Sequence, residues 1–253
     1  MTEINYVRLP IKNAFNIRDL GGYPCVPAGV TRWHAFLRGD DLSLLDPDDI
    51  RFLTDYGVRT VIDLRSGTEI KRAPDPFMKH PSVDYHNLPL NAGAIPDLTQ
   101  SKPEVPEDFI PRFYLEILKK ETKEIKRLME TIAVAKPGCV LFHCSAGKDR
   151  TGMVAMLLLG LAGVALPDII SNYEVTYTYI RQNPVTKKLS QMYPIETMLS
   201  KVEYLDQALA FIDESFGSMY AYLLSCGIEK DTLSQIQKRF VLTTDSSLGT
   251  VHE

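Results

Sequence analysis

The sequence predicts an α/β fold: a mainly parallel central sheet flanked by helices, followed by a helical C-terminal portion. Three observations point there. Two short apolar, β-prone runs, Val58–Leu64 and Val140–Phe142, each lead into a helical signal, as the strands of strand–helix units do. Residues Met153 to Leu166 are almost wholly apolar, which suits a helix buried on every side. From Pro167 onward the pattern is helical, punctuated by Gly217 and Gly227, to about residue 241. Residues 1–241 are expected to form one domain and 242–253 a disordered tail.

Taken in order, residues 1–12 read as an extended lead-in, and Asn16 to Gly22 as a turn with a local Arg18–Asp19 ion pair. Thr31 to Leu37 reads as a strand carrying the one tryptophan, Trp33. Asp46-Pro-Asp-Asp49 is a helix start: an N-cap, a proline in the first position, then acids on the positive end, with Gly57 closing the helix. Val58–Leu64 follows as a core strand, and Ser66 with Glu69 forms a capping box for the next helix. Residues 73–111 are proline-rich and irregular apart from a strand near Val83–Leu88, and Asn91–Pro106 reads as a long surface loop. Helices are expected at about 107–119 and 122–135, and Pro137-Gly138 breaks the chain before the strand at Val140. Later helices fall at 167–182, 201–216, 218–226 and 231–241, with Asn183-Pro184 ending the first.

Composition is that of an ordinary globular protein, with a net charge of −4 that makes nucleic acid an unnatural partner. Cys25, Cys139, Cys144 and Cys226 have neither metal-ligand nor disulfide spacing, so no metal or cofactor is implied. The N-terminus lacks the basic and apolar regions of a signal peptide, and the longest apolar run is too short to span a bilayer comfortably. Cytoplasm is the default, with no stable membrane insertion.

The chemistry concentrates in Val140-Leu-Phe-His-Cys-Ser-Ala-Gly-Lys-Asp-Arg-Thr-Gly152, where five residues separate Cys144 from Arg150. A loop of that length can curl until its backbone N–H groups converge on one anion, while the next helix aims its positive end at the same point. A phosphoryl group fits such a concavity. Cys144 would be the nucleophile at its base, and Arg150 would hold two phosphoryl oxygens at once. Ser145, Ala146, Gly147, Lys148, Asp149 and Arg150 form the expected substrate-binding set. The positive field is expected to lower the Cys144 thiol to about 3.5–7.5, and the Thr151 hydroxyl to support the sulfur. Burial in a core would explain a lone cysteine. It does not explain His143-Cys144, Gly147 and Arg150-Thr151-Gly152 together. A nucleotide-binding loop fails because Phe142 stands where its first glycine belongs and Asp149 where its Ser or Thr would bind magnesium.

His143-Cys-Ser-Ala-Gly-Lys-Asp-Arg-Thr-Gly152 resembles the active-site loop of bacterial tyrosine-protein phosphatases of the mycobacterial phosphatase B type, which include phosphoinositide phosphatases. Asn16-Ile-Arg-Asp-Leu-Gly-Gly22 and Asp63-Leu-Arg-Ser66 support the match, with a weaker echo from Glu203-Tyr204 to Gly227. The likeness touches about residues 8 to 241. It implies a protein tyrosine phosphatase-like fold and hydrolysis of phosphate monoesters through a phosphocysteine intermediate, without metal or cofactor. It also implies that Asn16–Gly22 packs beside the loop, with Arg18 or Asp19 bracing it. A helical lid is implied over the site at about 183–200, where Met192, Tyr193, Met198 and Leu199 would form an apolar cover. His143 would fix the loop and help ionise Cys144. Lys148 offers positive charge at a position that is basic in lipid-cleaving relatives, so activity is expected on both phosphotyrosine proteins and phosphoinositides. The nearest alternative is strict phosphotyrosine specificity. Redox or arsenate chemistry, with Cys139 as a resolving thiol, and a non-catalytic phospho-binding module lie further off. Members of this group can be exported without a recognisable signal peptide.

The general acid is open at this level. Many tyrosine phosphatases supply it from a Trp-Pro-Asp loop, which this chain lacks. Asp149 is the first candidate, since myotubularin-type lipid phosphatases have an aspartate there. Asp63, at a strand's C-terminal end, is the second. Asp97, in the long loop before the Cys144 strand, is the third. Lys148 and Arg150 beside Asp149 would lower its pKa, against the need of a general acid for one near the working pH. A bound dianion would offset them.

Overall fold

The computed structural model describes residues 4–27, 29–91 and 106–243. Its sheet is set by alternation along one strand, β6 (Cys139–His143). Val140 and Phe142 face one core, Cys139 and Leu141 the other, and all four are at most 1% exposed. A strand apolar on both faces must be central. Around it lie β1 (Arg18–Asp19), β3 (Phe36–Gly39), β4 (Val58–Asp63) and β5 (Asp84–Asn87), in the order β1-β3-β6-β4-β5. Only β1 runs antiparallel to its neighbour, so the expected mainly parallel sheet is present. A separate two-stranded ladder joins β2 (Val30–Thr31) to β7 (Val241–Leu242).

The helices divide unequally between the faces. One carries α1 (Pro47–Asp55) and the lead-in, through Leu53, Leu9 and Ile11. The other carries α3 (Phe109–Lys120), α4 (Thr122–Val134), α5 (Asp149–Leu161), α8 (Glu203–Phe216), α9 (Met219–Ser225) and α10 (Lys230–Phe240). The capping box read from the sequence forms, with Ser66 and Glu69 opening α2 (Gly67–Arg72), and the N-cap read at Asp46 is completed by Asp49 into a second box at the start of α1. Between α5 and α8 lie α6 (Leu166–Ile180), α7 (Pro184–Met192) and a single turn at Ile195–Thr197.

Four expectations need correction. The strand at Thr31–Leu37 breaks in two, because His34 adopts φ 60° and stacks its ring on Tyr56 at 4.0 Å. Helix α5 begins at Asp149, ahead of the apolar run, with Arg150 and Thr151 in its first turn. It ends at Leu161, before Gly163, whose φ of +82° no Cβ would permit with the Val26 carbonyl 2.6 Å away. The Asn16–Gly22 segment holds no Arg18–Asp19 pair. The two residues form β1 and serve separate networks: Arg18 binds Asn16, Asn172 and Thr176, while Asp19 accepts from Gly21, His34 and Tyr56. Leu242, placed in the tail, pairs in β7. Most of the loop expected at 91–106, and most of the tail, fall outside the described residues.

Asp40, just after β3, ties the lead-in to the sheet by accepting the Phe15 and Asn16 amides at 2.9 and 3.0 Å. Burial pushes its carboxyl up to about 6, against those amides, which favour the anion. An unfolded aspartate titrates near ~3.9, so between the two values the folded chain holds a proton that the unfolded chain has lost. The contribution of Asp40 to stability is therefore full below the unfolded value and is lost as pH rises through about 6. Denaturant unfolding of wild type and Asp40→Asn should show the difference moving in favour of wild type as pH falls through this window, by at most ~1.4 kcal/mol per pH unit.

Candidate functional site

The loop from Cys144 to Arg150 leaves the C-terminal end of central strand β6 and runs straight into α5. Its carbonyls are bound from outside. Asn16 Nδ2 donates to Ala146 O at 3.2 Å and to Gly147 O at 3.1 Å. Arg38 Nη2 donates to Gly147 O at 2.8 Å, and the Asp41 amide to Ser145 O at 3.2 Å. Among the described residues, no N–H of residues 145–148 donates to a protein acceptor, and no side chain caps α5. With the carbonyls turned outward, these amides and the positive end of the helix are left for an anion. Gly147 makes the curl possible: its φ is +63°, and a Cβ there would lie 2.6 Å from Gly39 O and 2.8 Å from both Asn16 Nδ2 and Asp40 N.

Cys144 is buried at the start of this nest, 2% exposed. Arg150 is buried at the helix start, and its two Nη atoms donate to the Glu69 carboxylate at 2.8 Å each. Glu69 also accepts from Ser145 Oγ at 2.7 Å and from the Ser66 amide that it caps. Burial opposes the Glu69 anion, but the Arg150 guanidinium and the Ser145 hydroxyl hold its carboxyl well below the usual range. Glu69 thus fixes one edge of the guanidinium, and among the described residues Arg150 Nε donates to no protein acceptor. A fork held on one edge and open on another is suited to an anion.

Asp149 and Lys148 share a corner. Asp149 Oδ1 accepts from the Tyr114 hydroxyl at 2.6 Å and lies 3.1 Å from Lys148 Nζ. Lys148, expected to offer charge to a second phosphate, is 1% exposed, and its ammonium donates to Thr197 O at 2.8 Å and Leu199 O at 3.0 Å. It clasps the turn after α7. Above the loop lies a cavity of about 180 Å³. Cys144, Asp149 and Arg150 line it together with Phe109, Ile110, Phe113, Ile180, Leu189 and Met198. Of the cover residues expected at 183–200, Met198 lines the cavity, Leu199 packs on the core beneath and Tyr193 is buried; the Met192 side chain is outside the described residues.

Other expected residues lie elsewhere. Asp63 does not line the cavity. It is wholly buried and accepts from Arg65 Nε and Nη2 at 3.0 and 2.8 Å and from the Tyr85 hydroxyl at 2.9 Å. Burial works against its charge, but Arg65 and then His143 outweigh this and hold it below the usual carboxylate range. A carboxylate so held serves as an anchor for Arg65, away from the cavity wall. Asp97 is outside the described residues. The His143 ring, expected to fix the loop, turns instead between buried Asp75 and Asp63, 3.0 and 3.7 Å from their oxygens, without an aligned hydrogen bond. These three residues come within metal-ligand reach of one another, yet Arg65 already neutralises Asp63. The Thr151 hydroxyl donates to Gly39 O at 3.4 Å and not to the sulfur. Cys139 faces the opposite core from Cys144. Five residues of extended chain, at about 3.3 Å each, keep it too far away to act as a resolving thiol.

Sequence reasoning missed Arg38, Glu69 in its second role, Tyr114 and Asn172. Arg38 carried a signal, an arginine inside the apolar run Phe36-Leu37-Arg38. Burial lowers its guanidinium to about 10, so it remains a cation at neutral pH, bound to Asn172 Oδ1 at 2.6 Å.

Residues 9–242 match the tyrosine phosphatase family. A tyrosine-protein phosphatase of Nostoc commune is 30% identical over 217 residues, which cover 81% of this chain and 74% of that protein. The triple specificity protein phosphatase PtpB of Mycobacterium tuberculosis is 26% identical over 273 residues, covering 90% of this chain and 96% of its own. The crystal structure of TpbA from P. aeruginosa is a distant likeness, with 16% identity and a TM-score of 0.36 over 66% of this chain and 98% of that one.

Replacing Gly147 with alanine should cost about 100-fold in kcat/KM and weaken vanadate binding in parallel, because the loop must shift off Gly39 and Asn16. Steady-state kinetics and vanadate inhibition on the folded variant check this.

Proposed function

The chain belongs to the tyrosine phosphatase family, and we propose that it hydrolyses phosphotyrosine in proteins through a phosphocysteine intermediate on Cys144. The observation that carries this reading is a set of amides without protein acceptors among the described residues, closed by Cys144 and Arg150 and opening into an apolar-walled cavity. The phosphoryl oxygens take the amides of residues 145–150 and the open edge of Arg150, which balance the charge on the equatorial oxygens in the transition state. The Cys144 thiolate attacks phosphorus as the bond to the tyrosyl oxygen breaks, and Asp149 delivers its proton to that oxygen. Water then attacks the phosphocysteine, Asp149 accepts a proton, and the thiolate leaves. Phe109, Ile110, Phe113, Leu189 and Met198 suit a phenyl ring better than a polyhydroxylated inositol. The segment at 183–200 acts as the cover that excludes water.

Phosphoinositide hydrolysis is the second reading, favoured by the placement of Lys148 on the cavity wall. It requires the ammonium to exchange the Thr197 and Leu199 carbonyls for a second phosphate.

The test is phosphate release from a phosphotyrosine peptide and a phosphoinositide panel in parallel, with rapid-quench labelling by a radiolabelled phosphopeptide. Wild type should cleave the peptide and retain label on protein, and Cys144→Ser should do neither. Peptide turnover that survives in Cys144→Ser refutes the mechanism. Lys148→Met should impair phosphoinositides more than peptide if the second reading holds, and both alike if Lys148 serves only the cover.

A further inference from the structure

Two buried phenols stand behind Asp149. Tyr114, on α3, is 0% exposed, and Tyr173, on α6, is 2% exposed. Their hydroxyl oxygens are 2.7 Å apart and their rings meet edge to face at 6.0 Å. Tyr114 has one proton and gives it to Asp149 Oδ1 at 2.6 Å, so the proton between the two phenols belongs to Tyr173. The chain therefore runs Tyr173 to Tyr114 to Asp149. A phenol that itself accepts a hydrogen bond is the stronger donor.

The arrangement divides the two carboxyl oxygens of Asp149. Oδ1 meets the Tyr114 hydroxyl and the Lys148 ammonium, while among the described residues Oδ2 accepts no hydrogen bond. A proton on the carboxyl must sit on Oδ2, the oxygen no donor occupies. We infer that Tyr114, backed by Tyr173, is a positioning residue that assigns the transferable proton to Asp149 Oδ2 and steadies the carboxylate left after transfer. This rests on Asp149 being the general acid.

Satisfaction of two core hydroxyls is the competing account, and the pH dependence separates the two. Asp149 is faced by Lys148 and Arg150 from the loop and its own helix, by Tyr114 from α3, Tyr173 from α6 and Tyr204 from α8. Tyr114→Phe keeps the ring in place and removes the donor to Asp149, and with it the acceptor of the Tyr173 hydroxyl. A carboxylate that loses a hydrogen-bond donor keeps its proton to higher pH. The alkaline limb of kcat should therefore move up. Turnover of phosphotyrosine peptide should fall about tenfold with KM nearly unchanged, while p-nitrophenyl phosphate, whose leaving group needs little protonation, should lose much less. In an Asp149→Asn background the same substitution should add no further loss. Tyr173→Phe should move the limb in the same direction by less, and serves equally if Tyr114→Phe fails to fold.

Equal losses on both substrates with an unmoved alkaline limb overturn the inference and leave a structural pair. If Asp149→Asn itself fails to penalise the poorer leaving group, the acid assignment falls, and the inference falls with it. If Asp149→Asn does penalise it and the tyrosine variants do not, the inference alone is wrong.

Discussion

The site depends on how the carbonyl oxygens of Ser145, Ala146 and Gly147 are bound. Each is claimed from behind, by the Asp41 amide, by Asn16, and by Asn16 together with Arg38. A peptide group has a donor and an acceptor on opposite sides, so fixing the acceptors outward aims the donors inward. The anion nest is thus built by the scaffold before any anion arrives. This pre-organisation is what makes such donors effective at the moment charge develops.

The same constraint explains the density of buried cations. Arg18, Arg38, Arg65, Lys148 and Arg150 are all at most 4% exposed, which is tolerable only where each meets oxygen. Two kinds of partner are used. Arg65 and Arg150 meet carboxylates, Asp63 and Glu69, and form tight pairs. Arg18 and Arg38 meet neutral oxygens of Asn172, Gly147 and Thr176, and Lys148 combines both, with the Thr197 and Leu199 carbonyls and the Asp149 carboxylate. Arg38, a cation at neutral pH on the Gly147 carbonyl, has no carboxylate partner among the described residues, and its charge adds to the field around the loop.

The cavity joins this polar floor to apolar walls. The floor comes from the strand end and the start of α5, and the walls from α3, α6, α7 and the turn after it. Lys148 and Asp149 are where the two meet: one clasps the turn above, the other is held by Tyr114 on α3. The proposed cover is thereby tied to the residues beside the proposed acid.

Much was legible in the sequence because its signals are local. The spacing of Cys144, Gly147 and Arg150 pointed to a loop that curls its amides together, and the curl is present with Gly147 at φ +63°. Asp46-Pro47 and Ser66 with Glu69 specified helix starts, since caps act within one turn. The apolar run after residue 152 specified a buried helix. What the tertiary structure alone decided are pairings across long separations. Asn16 and Arg38 reach the loop over 131 and 109 residues, Glu69 reaches Arg150 over 81, and Tyr114 reaches Asp149 over 35. The order β1-β3-β6-β4 brings the first three together, and the packing of α3 on α5 brings the last. Local spacing carries no record of those neighbours. For the same reason Asp63, at a promising strand end, proved to be committed to Arg65, and Lys148 to the turn above it. A side chain's chemistry is written in its type, but its charge state and availability are set by what the fold packs against it.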